Sequence, residues 1–141
     1  MIILDTNVLS EQIKLQPDAT VARWAAGIPI GELFTTTLTE AEMLVGMEIM
    51  PAGRRRSALA GELTRLFGQN FFGRILSFDS AAARALSTMR LRRDRVGAPV
   101  LDADAMIAAI ARAYGATVAT RDIKDFAGFD IEIVNPWTFA G

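Results

Sequence analysis

Short apolar runs that stop abruptly and give way to helical patterns recur along the whole of this 141-residue chain. The first is the most restrictive. Met1-Ile2-Ile3-Leu4 is uninterruptedly apolar and ends at Asp5-Thr6-Asn7, the pattern of a strand buried on both faces that turns into a capped helix. Residues 33–36, 75–78, 117–120 and 131–134 read as four further short strands. Helices are predicted over residues 8–14, 19–26, 39–50, 54–67, 79 to about 93, and 102–114, with one more turn over 122–126. Pro17-Asp18, Pro51 and Gly97-Ala98-Pro99 mark breaks, and Gly115 closes the helix before it. Strands alternating with helices demand a mostly parallel central sheet flanked by helices. With no repeat, linker or low-complexity stretch, residues 1–141 read as one α/β domain.

Composition then narrows the chemistry. The chain has no histidine and no cysteine. That removes the imidazole base, the thiolate nucleophile, and nitrogen or sulfur ligands for zinc. Carboxylates remain, and their placement is informative. Open parallel sheets bind ligands at the carboxyl ends of their strands. Asp5 and Asp122 follow the first and fourth strands, Glu42 is expected in the first turn of the helix after the second, and Asp104 in the first turn of another helix. All four are expected along one sheet edge. Two like charges about 4 Å apart repel by roughly 4 kcal/mol at an effective dielectric near 20, a large fraction of a domain's ~5–15 kcal/mol stability. Only Arg121 adjoins any of the four in sequence. A divalent cation is the economical counter-charge, and oxygen ligands suit Mg²⁺ or Mn²⁺. The residues therefore point to a metal-dependent phosphodiester hydrolase.

Each acid also has a purely structural reading. Asp5 and Asp122 are each placed to cap a following helix, and Asp104 to complement a helix N-terminus. Thr39-Glu40-Ala41-Glu42 matches a capping box, in which Thr39 bonds the Glu42 amide and Glu42 reaches back. Asp102 and Asp104 project about 200° apart on a helix, so they cannot share a ligand. Asp104 lies on the apolar stripe with Ile107, Ala108 and Ala111, which makes it the better ligand and Asp102 the better N-cap. Asp125, three residues beyond Asp122, is a lower-ranked candidate for the same cleft.

Net charge is −1, so no global basic field advertises nucleic acid. The basic residues are nonetheless mostly arginine, clustered at Arg54-Arg55-Arg56 and at Arg90, Arg92, Arg93 and Arg95, with Lys14 and Lys124 the two lysines. Arginine's planar fork suits phosphate, although a solvated helix face has the same composition. The lack of cysteine fits a reducing cytoplasm, and no export signal or membrane span is expected.

These residues carry a resemblance. Leu4-Asp5-Thr6-Asn7, Glu42-Met43-Leu44-Val45-Gly46, the helix from Asp104 to Ala111, and Val118-Ala119-Thr120-Arg121-Asp122 resemble, in order, the four motifs of PIN-domain nucleases. Asn135-Pro136-Trp137 is similar to the closing segment of the branch that contains VapC and FitB toxins. The resemblance implies a PIN fold, Mg²⁺- or Mn²⁺-dependent RNA cleavage, a toxin role, a cognate VapB/FitA-like antitoxin, and a homodimer. It implies Asp5, Glu42, Asp104 and Asp122 as the acidic site, supported by Thr6 and Thr120. Many relatives carry Asn at the position of Asp122 and the acid where Asp125 stands. Both are acidic here, so the fourth acid stays open between them.

The mechanism expected from these readings has Asp5 and Asp104 as principal metal ligands, with Glu42 and Asp122 secondary. The metal lowers the pKa of a water that attacks phosphorus in line, and a carboxylate or the metal's own hydroxide handles the proton. Arg54, Arg55, Arg56 and Arg121 are candidate RNA or partner contacts. Two rivals stand beside this: a non-catalytic α/β interaction module whose acids are only caps, and a phosphotransferase phosphorylated on Asp5. The latter lacks its usual second acid, since Asn7 occupies that position.

Overall fold

A computed structural model describes residues 1–92 and 102–141. Arg93, Arg95 and the Gly97-Ala98-Pro99 break lie outside the described residues, as do the side chains of Arg90 and Arg92. Five strands form one parallel sheet: β1 (Ile2–Leu4), β2 (Leu33–Thr36), β3 (Ile75–Leu76), β4 (Thr117–Ala119) and β5 (Ile133–Val134). Their order across the sheet is β3-β2-β1-β4-β5. The chain leaves β1 toward β2 on one side and returns on the other with β4. The switch point therefore lies between β1 and β4, where open sheets place their ligand crevice.

The uninterrupted apolar run of β1 is explained by its central position. Ile3 packs into one core and Leu4 into the other, because successive strand side chains point to opposite faces. The parallel register Ile3↔Val118 and Leu4↔Ala119 repeats that division on β4. One core lies beneath α5 (Ser80–Arg92) and α6 (Ala103–Tyr114), and includes Leu86, Ile107, Ile110 and Phe126. The other lies beneath α1 (Thr6–Gln12), α2 (Ala19–Ala26), α3 (Thr37–Glu48) and α4 (Arg54–Arg65), and includes Leu9, Trp24, Met43 and Leu63. A short α7 (Ile123–Phe126) follows β4. No described helix is long and apolar enough to cross a membrane.

Several boundaries differ from those expected, each for a local reason. Asp5 itself caps α1 by accepting from the Thr6 amide, so the helix starts at once after the strand. Helix α3 starts two residues earlier than expected because the N-cap is Thr36, whose Oγ1 accepts the Thr39 amide at 3.2 Å. The capping box at Thr39–Glu42 is therefore absent, and Glu42 sits in the second turn with its carboxylate free for other work. Helix α4 ends at Arg65 and widens into one π-helical turn over Leu66–Asn70. Strands β3 and β5 are each two residues long. Gly115 ends α6 at φ 65°, a left-handed conformation in which a side chain would be strained.

Candidate functional site

The carboxyl ends of β1, β2 and β4 bring the acidic residues to one edge. Asp5 continues the β1 ladder, its amide donating to Ala119 O at 3.0 Å, and its side chain is buried. The hydroxyl of buried Thr120 donates to Asp5 Oδ2 at 2.8 Å, and the Thr6 amide donates to Oδ1 at 2.9 Å. Removing the carboxylate from water still dominates and raises the Asp5 pKa against these bonds, with Asp122 and Asp125 pushing the same way.

Asn7 is the residue whose role the sequence did not disclose. Its Nδ2 donates to Asp122 Oδ2 at 2.9 Å, and lies 3.4 Å from both Asp5 Oδ2 and Thr120 Oγ1. Its Oδ1 accepts the Arg121 amide at 3.2 Å. One amide thus ties the start of α1 to the segment after β4, donating on one side and accepting on the other. A carboxamide offers both functions on one neutral group, with donor and acceptor on separate atoms. The signal was visible in Asp5-Thr6-Asn7, where a third capping-type residue was redundant for capping α1.

On the other flank, Thr6 Oγ1 stands 3.1 Å from Glu42 Oε2 and 3.2 Å from the hydroxyl of buried Thr39. A hydroxyl has one proton, and the carboxylate is the stronger acceptor. Thr6 therefore orients Glu42, and Thr39 supports Thr6. Asp102 caps α6 by accepting the Ala105 amide at 2.7 Å, which leaves Asp104 free, as its stripe of Ile107, Ala108 and Ala111 required. Asp104 is half-buried and its pKa is pushed up to about 6. Burial is the largest cause, followed by the charges of Asp5, Asp125, Asp102 and Glu42.

That last set locates the acids relative to one another. Asp104 feels Asp5, Glu42 and Asp125, and Asp5 feels Asp122 and Asp125. Asp125 acts on both buried-edge acids, whereas exposed Asp122 is engaged by Asn7. Among the described residues, none of these five acids has a basic side chain within ion-pair distance. Nor do any three of them stand close enough, as their side chains lie, to form a ready-made metal cage. The arginine run is divided in its roles: Arg56 pairs with Glu48 at 2.8 Å, while Arg54 and Arg55 are exposed in the first turn of α4.

Beside Glu42 and Thr6 opens a largely apolar groove of about 410 Å³ between α1, α3 and α4, with Met43, Met47, Leu59 and Leu63 in its walls.

Residues 2–131 match the PIN domain family. The chain is 39% identical over 137 residues to the VapC ribonuclease Y4jK of Sinorhizobium fredii, covering 97% of this chain and 98% of the relative. It is 34% identical to the toxin FitB of Neisseria gonorrhoeae, covering 97% of this chain and 99% of that one. The fold matches the crystal structure of FitAcB from Neisseria gonorrhoeae with a TM-score of 0.86 at 32% identity, over 99% of this chain and 100% of the other. The chain belongs to the PIN-domain family and is closely related to VapC/FitB-type toxins of toxin–antitoxin systems.

Proposed function

We propose that the chain is an endoribonuclease dependent on Mg²⁺ or Mn²⁺, the toxin of a toxin–antitoxin pair, acting as a homodimer and held inactive by a VapB/FitA-like antitoxin. The observation that supports this most is the set of five carboxylates at one sheet edge, with the charges of the others bearing on Asp5 and Asp104 and no basic partner among the described residues. Such a set is costly in isolation and favourable around a cation. The donor chemistry fits, since every group available is a hard oxygen. No cage of three such side chains is preassembled among the described residues, which suits an ion that keeps several of its waters. Ribonuclease activity in the name of the Sinorhizobium relative, and the toxin in that of the Neisseria one, support the substrate and the role.

Asp5 and Asp104 would be the principal ligands. Asp5 is fixed by Thr120 and Thr6, and Asp104 stands half-buried in the first turn of α6. Glu42 would complete the set, aimed by Thr6. The fourth acid is Asp122 or Asp125: Asp122 is the larger charge on Asp5 and is held by Asn7, while Asp125 acts on both Asp5 and Asp104. A bound divalent ion would supply an activated water and charge stabilisation at phosphorus. With no histidine in the chain, a carboxylate of this set would be the residue that accepts a proton. Thr6, Asn7, Thr39 and Thr120 hold the acids in place without adding charge.

The test is cleavage of single-stranded RNA by the purified chain, free of antitoxin, with Mg²⁺ or Mn²⁺ and with a chelator. Cleavage that stops with the chelator and returns with the metal is expected. Undiminished cleavage in excess chelator refutes the mechanism. No cleavage and no metal binding favours the interaction-module reading.

A further inference from the structure

We propose that Trp137 is a positioning residue for Arg121: the indole face holds the guanidinium off the acidic cluster, where it meets a backbone phosphate of single-stranded RNA entering the site. This rests on the ribonuclease reading above. Arg121 lies between Thr120, the buried partner of Asp5, and Asp122, and its own amide is pinned to Asn7 Oδ1 at 3.2 Å. The next residue, Asp122, is a carboxylate held by the same Asn7 side chain. Arg121 nevertheless forms no ion pair among the described residues, and its guanidinium lies 4.9 Å from the centroid of the Trp137 ring.

Stacking on a ring and a solvated ion pair are of comparable strength, so the indole is able to decide where the cation rests. The ring is itself well held. Asn135 Oδ1 accepts the Trp137 amide at 3.0 Å, which forms the turn Pro136–Thr138, and Trp137 packs against the core beneath α2. Both residues follow adjacent strands, β4 and β5, at the same edge as Asp5. Stacking occupies only the face of a guanidinium and leaves its in-plane N–H donors for a phosphate. Two ends follow from one interaction. The acids keep their charge for a metal, and the cation stays available to substrate.

The test uses a short single-stranded oligoribonucleotide in excess chelator, so that binding is read without cleavage. Affinity is followed against salt for Arg121→Ala, Trp137→Leu, Trp137→Phe and the double variant Arg121→Ala/Trp137→Leu. Arg121→Ala should lower the salt slope by about 0.7, the share of one neutralised phosphate on a single strand. Trp137→Leu should weaken binding about threefold while Trp137→Phe, which keeps a ring, loses less. The double variant should bind no worse than Arg121→Ala alone. A second readout separates positioning from packing: without RNA, Trp137→Leu should weaken Mn²⁺ binding because Arg121 falls onto the acids, and adding Arg121→Ala should restore it. Wild-type binding by Trp137→Leu, or losses that multiply in the double variant, overturns this proposal alone. A wild-type chain that binds no RNA in chelator and cleaves none with Mn²⁺ overturns the ribonuclease reading together with it.

Discussion

The Asn7 amide donates to the Asp122 carboxylate at 2.9 Å, across 115 residues of chain, and so locks the end of β1 to the end of β4. The bond joins the two sides of the sheet's switch point. It also neutralises nothing, because the amide carries no charge. Asn7→Ala should therefore loosen both Asp122 and the Arg121 backbone and cost about 1–2 kcal/mol, as loss of a hydrogen-bond network does. Asn7→Asp should destabilise the metal-free chain comparably, by adding a further like charge beside Asp5 and Asp122, but Mg²⁺ should recover much of that loss. Chemical denaturation of both variants with and without Mg²⁺ separates the two effects. Equal response of both to Mg²⁺ contradicts the assignment.

Glu42 gives a sharper variant than the sequence suggested. It makes no cap, since Thr36 caps α3, so Glu42→Gln removes a charge and little else. Gln retains an oxygen to accept from Thr6. The expected outcome is RNA cleavage reduced at least tenfold with unchanged or slightly raised metal-free stability, on the scale typical of lost catalytic carboxylates. Cleavage at the wild-type rate removes Glu42 from the site.

The pH dependence of the metal-free fold follows from which states bind protons. Asp104 is raised from 3.8 to about 6, mainly by burial, and Asp5 moves in the same direction. A carboxylate whose folded pKa is raised contributes stability that is present below the unfolded value and lost as pH rises through the folded one. The metal-free chain should thus lose stability between about pH 4 and pH 6, by an amount of order 1 kcal/mol for partly exposed Asp104. Asp79, lowered by the Ala82 amide and then by Tyr114, and Glu11, lowered by Lys14 and then by the Asp18 amide, act oppositely. Their stabilisation is lost as pH falls through their folded values. Melting curves across this range should show Asp104→Asn flattening the upper limb and leaving the acid limb intact.

Much of this site was legible because its parts are written in consecutive residues. An apolar run ending at Asp5 predicts a buried central strand and an acid at its mouth, and both are found. Asp102 as the N-cap follows from helical angle and from the apolar stripe that carries Asp104, and the structure agrees. The failures share one cause. Thr36 and Thr39 compete for one cap over the same stretch, and the winner depends on where β2 ends, which its pairing with β3 decides. Asn7 and Trp137 act on partners 115 and 16 residues away, so the local sequence names neither partner.

Arg54 and Arg55 stand at the N-terminal end of α4, where the helix dipole disfavours cations. Replacing both with Ser should stabilise the fold by a few tenths of a kcal/mol to about 1 kcal/mol. If they bind RNA phosphates, the same change should lower the salt slope of RNA binding by about 0.7 for each phosphate no longer neutralised. An unchanged slope marks them as solvated surface. Arg56 is the internal control, since Glu48 already holds it.

Calorimetric titration of Mn²⁺ into the wild-type and Asp104→Asn chains asks whether the acids of this edge hold a divalent cation. Saturable binding to the wild type is expected, with binding weakened at least tenfold in the variant, whose metal-free fold should be about 1 kcal/mol more stable once the repulsion is relieved. Absence of binding to the wild type, or equal binding to both together with a less stable variant, contradicts that role.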